Sequence, residues 1–314
     1  MTAVTHPESI PFPTKPENSA KPSNKAGLLI SLVLFVMAFY WFSGRSITNA
    51  IIIALCLLIH ELGHFLAMRA YKYQDTKILF IPFLGALTIG QKEEVSQKQE
   101  LIILLAGPIP GLLIGFILFF LGQLLTNHLL FTSGLIFVFL NAINLLPIYP
   151  LDGGRIIDTL YFGRRKIISK VFIAISIVLL IIFAIQQQEY FLLAIPVVLV
   201  LQLKGQLDIE KIKLNANHKG VRTNVRYEEL TDEEYWLLRD EIGVLSKEFA
   251  RFITPTVYEV SDHEPKVISY IQSILRKPIR LDLTKTGRFV FLAIWLLSIV
   301  ISIILALQLF ENYF

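Results

Sequence analysis

Two histidines and a glutamate stand within five positions of one another, at His60, Glu61 and His64, in the stretch LLIHELGHFL (57–66). At i and i+4 the two imidazoles share one helical face, and at that spacing they can hold one metal ion between them. Glu61 lies about 100° round the helix, close enough to hydrogen-bond a water on that metal. H-E-x-x-H is therefore two ligands plus a general base, the parts of a metal-assisted hydrolase. A zinc so held lowers the pKa of its water to about 7. The bland alternative is that all three are polar packing residues. The neighbourhood argues against it: Ile51–Ile59 carry no charge, and an ionisable group near a bilayer centre costs about 2.5–3.5 kcal/mol on insertion scales.

The elements that must position these groups are those of a membrane protein. The 314 residues are 54% hydrophobic and 17% charged, with a mean hydropathy of +0.60, and the apolar residues form runs rather than stripes. Residues 1–25 are polar and proline-rich and read as a disordered tail. Spans of about 20 apolar residues are expected at 26–43, 46–69, 101–125, 129–148, 167–186, 189–204 and 288–310, about seven in all. QQQE (186–189) would be a turn between two spans; a single tilted span over 167–204 is the alternative. ILFIPFLGALTIG (78–90) is too short to span as a helix. Its β-branched residues and glycines predict a strand pair dipping into the membrane. Residues 205–286 change composition and predict a small α-rich soluble domain of unknown role. Within it 230–252 reads as an amphipathic helix with Thr231 and Glu234 as a capping box. Residues 287–314 hold the last span.

Charge sets the orientation. The N-terminal tail and the loops 69–100 and 151–170 carry nearly all the basic residues near the spans, against Arg45 alone on the other side. The positive-inside rule makes the first side cytoplasmic, which predicts a multi-pass protein of the plasma (inner) membrane. The same placement explains the net charge of +4 without nucleic acid. Cys56 is the only cysteine, which excludes an intrachain disulfide.

A catalytic zinc keeps three protein ligands and an open position. NAINLLPIYPLDGGRII (141–157) offers Asp152. His60 lies about 21 Å into a helix running toward the cytoplasmic side, and Asp152 follows a span ending on that side, so the two can meet. Asp152 followed by Gly-Gly-Arg-Ile also suits a helix N-cap, and these residues taken alone favour the cap without closing the ligand reading.

The pair HELGH (60–64) and NLLPIYPLDGG (144–154) resembles the site-2 protease family of intramembrane zinc metalloproteases, peptidase family M50. AGPIPG (106–111) is similar to that family's Ala-Gly-Pro segment, and IPFLGALTIG (81–90) to its membrane-dipping hairpin. The likeness covers about 45–165, within a transmembrane region of 26–204. It implies one Zn2+ held by His60, His64 and Asp152, with Glu61 as catalytic base. Asn144 matches the motif asparagine and is implied to orient substrate or stabilise an oxyanion; Asn141, one turn earlier, does not match. The implied activity is endopeptidase cleavage within or near transmembrane segments of membrane-protein substrates. No inserted regulatory module of the family is recognisable. The rival readings are a catalytically silent metal-binding scaffold and a metal transporter, neither of which needs a base at Glu61.

Overall fold

The computed structural model describes residues 12–17, 33–34, 36–37, 40, 46–81, 85–92, 94–162, 165–188, 190–254, 257–275 and 279–313. In chain order the elements are α1 (Ile47–Ala70), β1 (Gln74–Ile81), β2 (Gly85–Gln91), α2 (Gln97–Ala106), α3 (Pro108–Leu124), α4 (His128–Asn144), α5 (Asp152–Ile157), α6 (Lys166–Gln186), α7 (Ala194–His218), α8 (Asp232–Leu245), α9 (Glu264–Leu275) and α10 (Lys285–Tyr313). They form two compact units. One comprises Ser23–Val200 with Pro278–Phe314; the other comprises Met1–Pro22 with Leu201–Lys277.

The first unit is the apolar one. Among the described residues, four helical stretches are long and apolar enough to cross a membrane: α1, α2 with α3, α6, and α10 as far as Leu305. The anchor expected at 26–43 lies almost wholly outside the described residues. α4 is apolar but only 17 residues long; Pro147 cannot continue a helix, so the span expected at 129–148 ends early. The span expected at 189–204 is not among the four. α7 is apolar only over 194–203 and then turns charged, short of the length a span needs. Leu199 shares a buried cluster with Ile173 and Ile177, which requires α7 to fold back along α6. That excludes a single tilted span over 167–204.

The hairpin is longer than 78–90. β1 and β2 pair antiparallel from Gln74↔Gln91 to Ile81↔Gly85, with an irregularity between Gln74 and Lys77. Its pleat alternates: Leu87 and Ile89 are exposed while Thr88 between them is buried. α2 and α3 are one rod interrupted at Gly107, because Pro108 supplies no backbone N–H. Leu101, Leu104, Leu112, Leu145, Ile156 and Trp295 form the main core of this unit. The Trp295 indole donates to the Leu145 carbonyl at 2.9 Å, so α10 closes over the segment between α4 and α5.

The second unit has its own core, including Ile212, Tyr235, Trp236, Ile242, Val267 and Ile271. α8 starts as its sequence dictates: the Thr231 hydroxyl accepts from the Glu234 N–H, and Glu234 accepts from the Thr231 N–H. It stops at Leu245 rather than 252, giving way to a short 3-10 turn at Phe249–Arg251. Residues 12–17, inside the stretch expected to be disordered, are seated on this unit by hydrogen bonds to α8 and the turn before it. Their aromatic and lysine side chains find partners that a composition-based reading does not anticipate.

Candidate metal centre

His60, Glu61 and His64 lie on α1 and are all buried. Asp152 opens α5 and is buried too. The helix N-cap is Leu151, without a side-chain cap bond, so the Asp152 carboxylate is not spent on capping. It faces the histidines instead. Asp152 Oδ2 lies 3.0 Å from His60 Nε2 and 3.2 Å from His64 Nε2, and the two Nε2 atoms are 3.1 Å apart.

The outer nitrogens fix what this triangle is made of. His64 Nδ1 is 2.7 Å from the Ile103 carbonyl oxygen, which only accepts, so Nδ1 carries a proton and Nε2 is the nitrogen that faces the cluster. On α4, Asn141 Nδ2 donates to the Phe137 carbonyl at 2.8 Å, which turns its Oδ1 toward His60 Nδ1, also at 2.8 Å. His60 Nδ1 is therefore the donor, and its Nε2 faces the cluster too. Two imidazole Nε2 atoms and a carboxylate oxygen thus converge. A proton can bridge one pair; a metal ion satisfies all three. Tetrahedral zinc with bonds of about 2.0–2.1 Å sets its ligand atoms about 3.3–3.4 Å apart, so the observed triangle is a slightly compressed zinc face. Among the described residues this is the one cluster of three such groups that could hold a metal.

Small residues make the convergence possible. A Cβ on Gly107 would stand 2.3 Å from His64 Nε2, and one on Gly63 would stand 1.9 Å from the Ala106 carbonyl oxygen. The Ala-Gly-Pro junction therefore lies flat against α1. A Cβ on Gly153 would meet the Leu145 carbonyl oxygen at 2.0 Å, so Asp-Gly-Gly lets the start of α5 press onto the end of α4. Arg155 ties α5 to α2 through Glu100, Nη2 to Oε1 at 3.0 Å. Each ligand is thus held by a different neighbour: α2 orients His64, α4 orients His60, and α5 delivers Asp152.

Glu61 does not belong to the triangle. Its Oε2 accepts from the Thr88 hydroxyl of β2 at 2.6 Å, so the hairpin holds the carboxylate. Asn144, expected near the reaction centre, donates through Nδ2 to the Leu140 carbonyl at 3.1 Å. It is Asn141 that reaches a histidine. Cys56 is buried, its Sγ 3.4 Å from Asn141 Nδ2, and is no part of the metal cluster. Asn141 and Thr88 are the residues touching His60 and Glu61 that reading the motifs passes over. Both left a signal: Asn141 is a polar group in an apolar helix, and Thr88 is the polar residue on one face of an alternating strand.

Residues 48–132 and 123–185 match the family model of peptidase family M50. Over this core the chain is similar to that family. A zinc metalloprotease of Methanocaldococcus jannaschii is 26% identical over 218 residues, 62% of this chain and 62% of its own length. Stage IV sporulation protein FB of Bacillus subtilis is 30% identical over 111 residues, 34% of this chain and 38% of that protein. A solved site-2 protease from Methanocaldococcus jannaschii superposes with a TM-score of 0.42 at 24% identity, over 56% of this chain and 87% of that one. The chain spans less than two thirds of the length of either curated relative. The M50 match takes in α1 through most of α6, and so all three residues of the triangle.

Proposed function

We propose that this protein is an intramembrane zinc endopeptidase acting on peptide bonds within or near transmembrane segments of other membrane proteins. The observation that carries the reading is the convergence of two imidazole nitrogens and a carboxylate oxygen beside a glutamate held by a hairpin. In this reading His60, His64 and Asp152 hold one zinc ion, which when bound supplies Lewis acidity toward a carbonyl and toward water. Glu61 takes the proton from the attacking water and returns it to the leaving amine. The Thr88 bond to Oε2 leaves Oε1 free for that proton. Asn141 and the Ile103 carbonyl keep both imidazoles in the tautomer a metal requires. Asn144 stands one turn beyond Asn141 and is kept as a candidate for contacting substrate.

A helical substrate must unwind before its carbonyls are reachable, and its freed backbone groups then need partners in lipid. A free edge of the hairpin supplies them by strand addition. With the loops of the basic side cytoplasmic, water reaches the site from the cytoplasm. A silent scaffold or a transporter would have no use for a braced base at position 61.

The test is Glu61→Gln in purified protein with a labelled transmembrane peptide. Zinc content by mass spectrometry should stay near one ion per chain while cleavage disappears. Undiminished cleavage would remove Glu61 from its role, and loss of zinc would make it a ligand instead.

A further inference from the structure

The seating of residues 12–17 on the polar unit has the form of ligand recognition. The segment reads Phe-Pro-Thr-Lys-Pro-Glu and forms no helix or strand. Its contacts repeat every three residues. The Pro13 carbonyl accepts from the Trp236 indole N–H at 2.6 Å, and the Pro16 carbonyl accepts from the Tyr227 hydroxyl at 2.6 Å. Phe12 and Lys15, also three apart, are the side chains turned inward, while Pro13 and Thr14 are exposed. A period of three is that of a polyproline II helix, whose unpaired backbone carbonyls are offered to aromatic donors in grooves of this kind.

Each inward side chain has a built receptor. Phe12 stacks at 4.9 Å on Tyr258. The Lys15 ammonium donates to the carbonyls of Tyr227, Glu228 and Leu230 and stands 5.4 Å from the centre of the Tyr227 ring. The Lys15 backbone N–H, followed by Pro16, which has none, donates to Asp232 Oδ1 at 2.9 Å. The groove is braced from behind by its own unit. Arg239 lies 5.0 Å from the Trp236 ring centre and is itself paired, fully buried, with Glu264. Tyr235 meets both Trp236 and Tyr227 edge-on. These contacts within the unit help set the directions of the Trp236 and Tyr227 donors.

We propose that the polar unit carries a recognition groove for an extended peptide of the pattern aromatic-Pro-x-Lys-Pro, and that residues 12–17 are its resident, displaceable ligand. Recognition uses main-chain carbonyls, one aromatic ring and one ammonium, so any chain presenting that pattern in extended form competes for the groove. The proposal is independent of the metal centre.

The experiment uses the full chain in detergent, and a chain lacking residues 2–17, with a fluorescent peptide of residues 10–18 as probe. The shortened chain should bind it saturably. The intact chain should bind about 10- to 100-fold more weakly, because a tethered ligand competes at millimolar effective concentration. Lys15→Glu in the peptide, or Trp236→Phe in the protein, should weaken binding at least about tenfold, the loss of a charge-assisted or indole bond. No saturable binding by a shortened chain with native amide exchange, or equal binding of a scrambled peptide, overturns the proposal. Should the shortened chain not fold, a protease site placed after Asn18 is cut in the folded protein. The excised segment should remain bound and be displaced by excess peptide; a segment that leaves at once, or that no peptide displaces, refutes the idea.

Discussion

Gly107→Ala tests the metal centre at a residue that touches no metal. The new methyl would stand 2.3 Å from His64 Nε2 and 2.5 Å from Cε1, where ordinary contact begins at 3.4 Å. Relief requires a displacement of about 1.1 Å, taken either by the imidazole or by parting α1 from the α2–α3 junction. The second route gives up the close packing of α1 on the junction, where a Cβ on Gly63 would lie 3.1 Å from the Gly107 Cα. Either route moves His64 relative to Asp152, yet zinc ligands are held to about ±0.2 Å. A misplacement near 1 Å costs on the order of 10²-fold in rate. Zinc affinity should fall at least as far as for loss of an orienting partner, about 10- to 100-fold. The assay is zinc affinity by chelator competition together with cleavage of a transmembrane peptide. Gly205→Ala is the control, since nothing lies within 4 Å of a Cβ there, and thermal unfolding of each variant separates metal loss from collapse. Affinity and activity within twofold of wild type, in a folded Gly107→Ala protein, would refute the packing argument.

Three further outcomes are expected. Asn141→Ala should lower zinc affinity about 10- to 100-fold by freeing the His60 ring, measured by the same competition; unchanged affinity would mean the 2.8 Å bond holds nothing. Thr88→Val should leave zinc bound but slow cleavage about 10- to 100-fold, as for losing a hydrogen bond to a charged group, and Thr88→Ser should restore it. The polar unit should weaken in acid. Arg222 and the Thr231 N–H hold the Glu234 carboxyl down at about 2. Its stabilisation is complete above the unfolded carboxyl value of about 4.3 and is lost as pH falls toward 2. Amide exchange over 232–245, corrected for intrinsic rates, should show it, and Glu234→Gln should flatten that dependence.

The chemistry was legible where it depends on spacing along one helix. His60, Glu61 and His64 are set by a period of 3.6, and no distant contact can alter which face they share. The membrane class, the α2–α3 break at Pro108 and the Thr231–Glu234 cap are local for the same reason. Hairpin alternation likewise marks Thr88 once the strand is granted. Span counting fared less well, because length and hydropathy do not say where a helix is stopped by Pro147 or how early α7 turns charged.

What the chain alone could not decide is everything that depends on two elements approaching. Asp152 read as a cap from its own neighbours, and it faces the two histidines because α5 is pressed onto the end of α4. Asn144 matched a motif while Asn141, three residues earlier, met the imidazole, because helix rotation is fixed by packing and not by sequence order. The tail's FPTKPE had no evident use until the polar unit met it with Trp236 and Tyr227. Local sequence fixes which groups are available and which way each faces on its own element. Only the close packing of those elements decides which lone pairs end up sharing one cation.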